Sequence, residues 1–279
     1  MKIQIASGTE LFCAQSTTAP RGPGGDDSSP GEPAEVIVLL HGFPMSHAMW
    51  RDQLDVLGRR YRVIAPDLRG FGQSGTSEGV VSMRRMADDV AELLDALEID
   101  QPVHLGGLSM GGYVALAFWA AHRERLRSLI LCDTRANADS AEMVATRQET
   151  AERVLTDGVA WLAEQMTGKL FAPGTLATRP HAAEAFKRMA LACDPRGVAA
   201  ASRGMAQRED FTERLGEITL PVLSLVGASD AVTPPEVMTA MCRAMPHGRF
   251  VEVPAAGHLA PMENPAEVNQ AIVEFLGSL

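Results

Sequence analysis

The sequence predicts an α/β protein built on a mostly parallel sheet. Short runs of apolar, often β-branched residues recur along the 279-residue chain, and longer stretches with helical spacing of apolar residues separate them. The runs are continuously apolar rather than alternating, which is typical of parallel strands covered on both faces. The helical stretches supply the crossovers that parallel strands require. We therefore expect a central sheet flanked by helices.

The elements follow in order from an N-terminal hairpin. Residues 2–6 and 10–15 alternate polar and apolar side chains around a Ser-Gly-Thr turn. Residues 16–34 are dense in Pro, Gly, Ser and Asp, so they can bury little surface and are expected to form a flexible loop. Six strands are then predicted at residues 35–40, 61–66, 102–107, 126–133, 221–227 and 249–254.

The strand pattern is interrupted between residues 134 and 218. This segment has the apolar spacing of several helices rich in Ala, Met, Arg and Glu, with breaks at Pro173-Gly174 and Asp194-Pro195. The sequence thus predicts a core formed by residues 1–133 and 219–279, with residues 134–218 as a helical insertion.

Composition disfavours several classes of partner. The formal net charge of −10 would repel a phosphate backbone, so no nucleic acid is expected. The longest apolar run, residues 113–121, is too short to cross a bilayer, and the N-terminus lacks the apolar stretch of a signal peptide. The four cysteines are widely spaced and form no CxxC pair, which favours reduced thiols. We expect a cytoplasmic protein without a membrane partner; its oligomeric state is left open.

The most specific motif is the sequence GLSMG at residues 107–111. It matches G-x-S-x-G, directly after the apolar strand 102–107 and before a helical run. Glycines two residues on either side leave room for a sharp turn that exposes a serine hydroxyl at a helix N-terminus. This context predicts that Ser109 is a nucleophile.

A serine nucleophile needs a base and a group that orients the base. Asp230 lies just beyond the strand 221–227, and His258 lies just beyond the last strand, in the chain order that this turn requires. Both therefore lie at the carboxyl edge of the sheet, where open α/β sheets bind ligands. Asp133 is a competing candidate for the acid, because it ends the strand after the nucleophile helix.

Acyl transfer also needs N–H donors for the oxyanion. One candidate is the backbone N–H of Met110, the residue after the nucleophile. The second is the N–H of Phe43 in the sequence HGFP, which follows the strand 35–40. His41 in the same segment is interpreted as a residue that braces the loop.

Five segments together resemble the α/β-hydrolase superfamily over nearly the whole chain outside residues 16–34. They are HGFP, DLRGFGQS, GLSMGG, GASD and AGHLAPMENP. Within it the chain is similar to 3-oxoadipate enol-lactonases, small carboxylesterases and cofactor-free haloperoxidases. The resemblance implies the α/β-hydrolase fold and a helical lid over the pocket at residues 134–218. Serine rather than aspartate at position 109 disfavours haloalkane dehalogenases and epoxide hydrolases.

No cofactor or metal is expected. Residues 70–75 satisfy G-x-G-x-x-G after a strand, but no helix opens directly after them and the expected ribose-binding acid is missing. No metal-binding motif is present.

The predicted activity is hydrolysis of a carboxylic ester or lactone through an acyl-enzyme on Ser109. Trp50, Trp161 and Phe171 are candidates for substrate contacts, and six arginines of the insertion are candidates for binding a substrate carboxylate. Cleavage of a C–C bond and perhydrolysis use the same residues and remain alternatives. A ligand-binding receptor without turnover is an alternative from another class.

Overall fold

The computed structural model describes residues 1–16 and 35–279. The flexible loop predicted at residues 16–34 lies, apart from Ser16, outside the described residues. The described residues form one eight-stranded sheet. Its strands are β1 (Lys2–Gln4), β2 (Glu10–Gln15), β3 (Val36–Leu40), β4 (Arg62–Pro66), β5 (Val103–Leu108), β6 (Leu126–Cys132), β7 (Val222–Gly227) and β8 (Gly248–Val253).

The strand order is β1-β2-β4-β3-β5-β6-β7-β8. Strands β1, β2 and β4 pair antiparallel, and every pair from β4 to β8 is parallel. The predicted hairpin is therefore confirmed and forms the edge of the sheet. The mostly parallel sheet is confirmed as well, and each of the six predicted runs contains or overlaps one observed strand.

Eleven α-helices lie among the described residues. They are α1 (Arg51–Leu57), α2 (Met83–Ala96), α3 (Met110–His122), α4 (Ala141–Asp157), α5 (Ala160–Leu170), α6 (Thr175–Thr178), α7 (Pro180–Leu191), α8 (Pro195–Met205), α9 (Pro235–Ala244), α10 (Ala260–Glu263) and α11 (Pro265–Leu276).

Helices cover both faces of the sheet. In β3, every residue is buried, and alternate side chains join two different core clusters. One cluster includes residues of α2, α3 and α9, and the other includes residues of α1 and α11. A strand with a core on each side must be apolar at every position, which explains why the central strands read as continuous apolar runs.

The segment between β6 and β7 is helical, as predicted. Helices α4 to α8 and a 3₁₀ turn at Thr212–Glu217 fill it, and no strand lies between residues 134 and 218. Ser140 caps α4 by accepting a hydrogen bond from the N–H of Met143, and Asp194 caps α8 in the same way. We call residues 134–218 the helical insertion.

The parallel strands point their carboxyl ends toward one edge of the sheet. His41 follows β3, Ser109 follows β5 and Asp133 follows β6, while Asp230 and His258 lie in the loops after β7 and β8. The topology thus places at one edge the polar residues that carry the predicted chemistry. Within the described part of the chain no helix is both long and apolar enough to cross a membrane. All four cysteines are buried and free.

Candidate active site

The turn between β5 and α3 holds Ser109 in an unusual backbone conformation. Its φ of 53° and ψ of −113° lie in a region that side chains other than glycine rarely adopt. A Cβ at Gly107 would overlap the carbonyl of Gly111, and a Cβ at Gly111 would overlap the carbonyl of Leu40. Both flanking glycines are therefore required by close backbone contacts, which the G-x-S-x-G pattern predicts.

Ser109, His258 and Asp230 form one hydrogen-bonded chain. His258 Nε2 lies 2.9 Å from Ser109 Oγ, and His258 Nδ1 lies 2.8 Å from Asp230 Oδ2. His258 and Asp230 are both 3% exposed, so the histidine–carboxylate contact is shielded from water. A carboxylate at Nδ1 makes that nitrogen the donor and leaves Nε2 free to accept the proton of the serine hydroxyl.

The loop after β7 fixes the orientation of the Asp230 carboxylate. Its second oxygen, Oδ1, accepts hydrogen bonds from the N–H groups of Val232 at 2.7 Å and Thr233 at 2.8 Å. These two donors offset the cost of burying a carboxylate and leave Oδ2 directed at the imidazole.

Asp133, the competing acid, does not hydrogen-bond to His258. Its Oδ1 accepts from the N–H of Gly227 at 2.8 Å, and its Oδ2 is buried without a hydrogen-bond partner in the part of the chain that the structure describes. Burial, and then the negative charge of Asp230, raise the pKa of Asp133 well above its ordinary value. The Asp133 carboxyl thus holds its proton to higher pH than an exposed aspartate does.

Asp133, Asp230 and His258 also have ligand atoms that all lie within 4.8 Å of one another, a spacing that could hold a metal ion. However, both ring nitrogens of His258 already face polar atoms of Ser109 and Asp230. The arrangement is suited to moving a proton between the serine and the imidazole.

The loop after β3 lies against the serine turn. A Cβ on Gly42 would lie 2.8 Å from Leu108 Cδ2, which shows how closely this loop approaches the end of β5. Neither the N–H of Phe43 nor that of Met110 donates a hydrogen bond within the described ranges, residues 1–16 and 35–279. Both backbone N–H groups are therefore free to serve an oxyanion.

Two buried side chains brace that loop. His41 Nδ1 hydrogen-bonds to the carbonyl of Gly42 at 2.9 Å, and its Nε2 accepts from the N–H of Leu68 at 2.9 Å. Burial lowers the pKa of His41, so the ring stays neutral in the tautomer that these contacts require. Asp67 accepts from both the N–H and Nδ1 of His47.

Of the three predicted substrate contacts, Trp50 and Phe171 are buried in the same core cluster, whereas Trp161 is half-buried. Trp50 is fully buried in the core cluster that includes α1 and α11, so it has no surface to offer a ligand. Trp161 is half-buried beneath the guanidinium of Arg153, 4.0 Å from the ring centroid. Phe171 adjoins Leu170, whose carbonyl accepts a hydrogen bond from the N–H of His258 at 2.7 Å. Of the three side chains, only Phe171 is next in sequence to a residue that hydrogen-bonds to the loop carrying His258.

Most of the insertion's arginines considered for a substrate carboxylate already have protein partners. Arg147 pairs with Asp139 and Arg203 with Glu152, while Arg135 hydrogen-bonds to the carbonyl of Val232. These contacts disfavour a carboxylate-binding role for those side chains.

Two further residues, Thr134 and Glu263, contact this site and belong to no recognisable catalytic motif. Thr134 Oγ1 donates to the carbonyl of Ser109 at 2.8 Å and so braces the serine turn. Glu263 is 2% exposed and hydrogen-bonds to the backbone on both sides of His258. An acidic residue at the end of the apolar sequence LAPME indicates that Glu263 could be buried and hydrogen-bonded. Nothing in the sequence distinguishes Thr134 from other threonines.

Comparison with known proteins identifies the family. The family model described as alpha/beta hydrolase fold matches residues 35–265. The chain belongs to the α/β-hydrolase family. This confirms the resemblance inferred from the five sequence segments, and it agrees with the observed sheet and with the serine turn after β5.

Similar members of the α/β-hydrolase family have names that refer to esters and lactones. A thermophilic esterase from Thermogutta terrifontis, solved with malate bound, is 44% identical, covers 100% of this chain and 98% of its own, and superposes with a TM-score of 0.91. The enol-lactonase from Burkholderia xenovorans LB400 is 25% identical, with a TM-score of 0.87 over 99% of this chain and 100% of its own. 3-Oxoadipate enol-lactonase 1 of Acinetobacter baylyi is 29% identical over 248 residues, covering 89% of this chain and 91% of that protein.

The same substitution, Asp→Asn, is expected to have different effects on kcat at Asp230 and at Asp133. We expect Asp230→Asn to lower kcat on the order of 10⁴-fold, because an amide no longer holds the imidazole in the required tautomer. Asp133→Asn should keep kcat within about threefold of the native value, since Asp133 does not contact the imidazole and the amide retains the acceptor for the Gly227 N–H. Steady-state hydrolysis of p-nitrophenyl acetate measures both. Equal losses in the two variants would contradict this assignment.

The raised pKa of Asp133 also predicts how stability depends on pH. The ordinary pKa of an aspartate is 3.8, and above that pH the unfolded chain releases the Asp133 proton while the folded chain keeps it. Asp133 therefore lowers the free energy of unfolding as the pH rises. Asp133→Asn removes that contribution. Relative to the native chain, the variant's free energy of unfolding should therefore increase with pH, by up to about 1.4 kcal/mol per pH unit. Denaturant titrations of both proteins at pH 5, 6 and 7 test this; a difference that does not change with pH would contradict it.

Proposed function

We propose that this protein is a serine hydrolase that cleaves carboxylic ester or lactone bonds through an acyl-enzyme. The observation that carries the proposal is the chain of hydrogen bonds from Ser109 through His258 to Asp230 at the carboxyl edge of the sheet. A hydroxyl, an imidazole and a buried carboxylate in this order form the arrangement that activates serine for attack on a carbonyl.

In the first half-reaction Ser109 Oγ attacks the carbonyl carbon while His258 Nε2 takes the hydroxyl proton. Asp230 stabilises the imidazolium that forms, since its carboxylate lies 2.8 Å from Nδ1 and is fixed by two backbone donors. Collapse of the tetrahedral intermediate expels the alcohol, which receives the proton from His258. In the second half-reaction His258 Nε2 removes a proton from water as the water oxygen attacks the acyl carbon. Collapse of this second tetrahedral intermediate breaks the bond between the acyl carbon and Ser109 Oγ, and His258 returns the proton to Ser109 Oγ as the carboxylic acid leaves.

The oxyanion of each tetrahedral intermediate would accept hydrogen bonds from the N–H groups of Met110 and Phe43. The first lies at the N-terminus of α3, where the helix dipole adds partial positive charge. The second lies in the loop braced by His41, which limits reorganisation when charge develops. Fixed donors of this kind typically contribute about 3 kcal/mol each to lowering the barrier.

The helical insertion is proposed to act as the lid over the acyl pocket. In support, the carbonyl of Leu170 at the end of α5 accepts a hydrogen bond from the backbone N–H of His258, so the insertion contacts the loop that carries the proposed base. Phe171 follows that contact and is the proposed substrate-facing aromatic side chain. The names of the esterase and the enol-lactonases among the similar proteins support ester and lactone substrates.

Removal of the nucleophile tests the proposal. Ser109→Ala should lower kcat for p-nitrophenyl acetate by at least about 10⁴-fold, because no residue in this arrangement can replace the hydroxyl. The native chain should show a pre-steady-state burst of p-nitrophenol, which reports acyl-enzyme accumulation.

The matched control is Ser229→Ala, the same substitution at an exposed serine of the Asp230 loop. This variant should retain native kcat, and circular dichroism should show that both variants are folded. Turnover by folded Ser109→Ala at more than a hundredth of the native rate would show that Ser109 is not the nucleophile.

A further inference from the structure

Glu263, at the end of α10, is a buried carboxylate outside the hydrogen-bonded chain of Ser109, His258 and Asp230. It is 2% exposed, and no Lys, Arg or His side chain forms an ion pair with it in the part of the chain that is described. A buried charge without an opposite charge is costly, so its hydrogen bonds must supply the compensation. Four donors do so.

The two oxygens of Glu263 serve two different parts of the molecule. Oε1 accepts from the N–H groups of Gly257 at 2.9 Å and Leu259 at 3.3 Å, the residues on either side of His258. Oε2 accepts from the N–H of Ala172 at 2.8 Å and from Thr175 Oγ1 at 2.5 Å, both in the helical insertion. One carboxylate thus joins the backbone that carries the base to the insertion.

A further contact runs parallel to this bridge. The N–H of His258 donates to the carbonyl of Leu170 at 2.7 Å. Three successive N–H groups, those of residues 257 to 259, are therefore held either by Glu263 or by the insertion. The loop between β8 and α10 has little freedom to shift without disturbing residues 170–175.

We propose that Glu263 is a positioning residue that couples the placement of the insertion to the placement of the His258 imidazole. This inference depends on the proposed role of His258 as the base. Glu263 does not touch Ser109 or the reacting atoms; it acts through the loop that carries the histidine. Asp133, Asp230 and His258 are the other buried titratable groups of this region, and none of them hydrogen-bonds to Glu263.

Glu263→Gln is the direct test. An amide keeps one acceptor oxygen but turns an NH₂ group either toward the N–H groups of Gly257 and Leu259 or toward the N–H of Ala172, so at least one backbone N–H of the bridge loses its acceptor. We expect kcat for p-nitrophenyl acetate, per active site titrated with a fluorophosphonate, to fall on the order of 10- to 100-fold, because small misplacement of a reacting group is costly. KM should change less than threefold. Glu267→Gln, at an exposed glutamate four residues later, is the matched control and should keep native kcat.

A readout independent of activity accompanies the kinetics. In Glu263→Gln, hydrogen exchange should become faster in both of the peptides that cover residues 168–176 and 254–262. In Glu267→Gln, exchange in these two peptides should stay at the native rate. If kcat per titrated site stays within twofold of native, or if only one of the two peptides loses protection, the coupling is refuted and Glu263 only stabilises the fold.

Should Glu263→Gln fail to fold, Thr175→Val provides a milder test, since it removes one of the four donors and leaves three. We expect faster hydrogen exchange in residues 254–262, which lie on the opposite side of the Glu263 carboxylate, and a severalfold lower kcat. If neither the exchange rate nor kcat changes, the proposal is overturned.

Failure of the proposed function would give a different result. The native chain would then show no hydrolysis dependent on Ser109, while the exchange measurements would still test the link.

Discussion

Ser109 is held at φ 53° and ψ −113°, and this backbone conformation constrains most of what surrounds it. A side chain in that region costs of order 1–3 kcal/mol and persists only where neighbouring structure imposes it. Here β5 ends inside a parallel sheet, α3 starts at the next residue, and Thr134 donates a hydrogen bond to the Ser109 carbonyl. Glycines at positions 107 and 111 let the two elements and the end of β3 approach one another. The strain is thus maintained by the core, and it places the Ser109 hydroxyl against His258 Nε2.

The same edge of the sheet buries three carboxyl groups, and each is accommodated differently. Asp230 is compensated by two backbone donors and the imidazole. Burial and the nearby charge of Asp230 raise the pKa of Asp133 above its ordinary value. Glu263 is compensated by four hydrogen-bond donors divided between the histidine loop and the insertion. One carboxylate therefore contacts the His258 imidazole, the second has a raised pKa, and the third hydrogen-bonds both to the backbone beside His258 and to the insertion.

The sequence predicts the fold well because its signals are local. Continuous apolar runs indicate strands covered on both faces, and the G-x-S-x-G pattern encodes the turn at Ser109 in five residues. Other features depend on tertiary contacts that leave little local pattern. Trp50 is a candidate pocket residue by sequence, but it is fully buried in a core cluster, and burial depends on tertiary packing. Asp133 and Asp230 look alike as candidates after successive strands, and only the position of His258 distinguishes them. Glu263 gains its contacts from the insertion, about 90 residues away in the chain.

The proposed chemistry depends on an activated serine in the turn after β5. Stoichiometric labelling of the native chain with a fluorophosphonate, followed by peptide mass spectrometry, tests for it, because the reagent reacts with a serine only where a base and oxyanion donors assist it. We expect one adduct per chain, located on Ser109, and a large loss of labelling rate in His258→Ala. An adduct on a different residue, or a folded native chain that remains unlabelled, would contradict it.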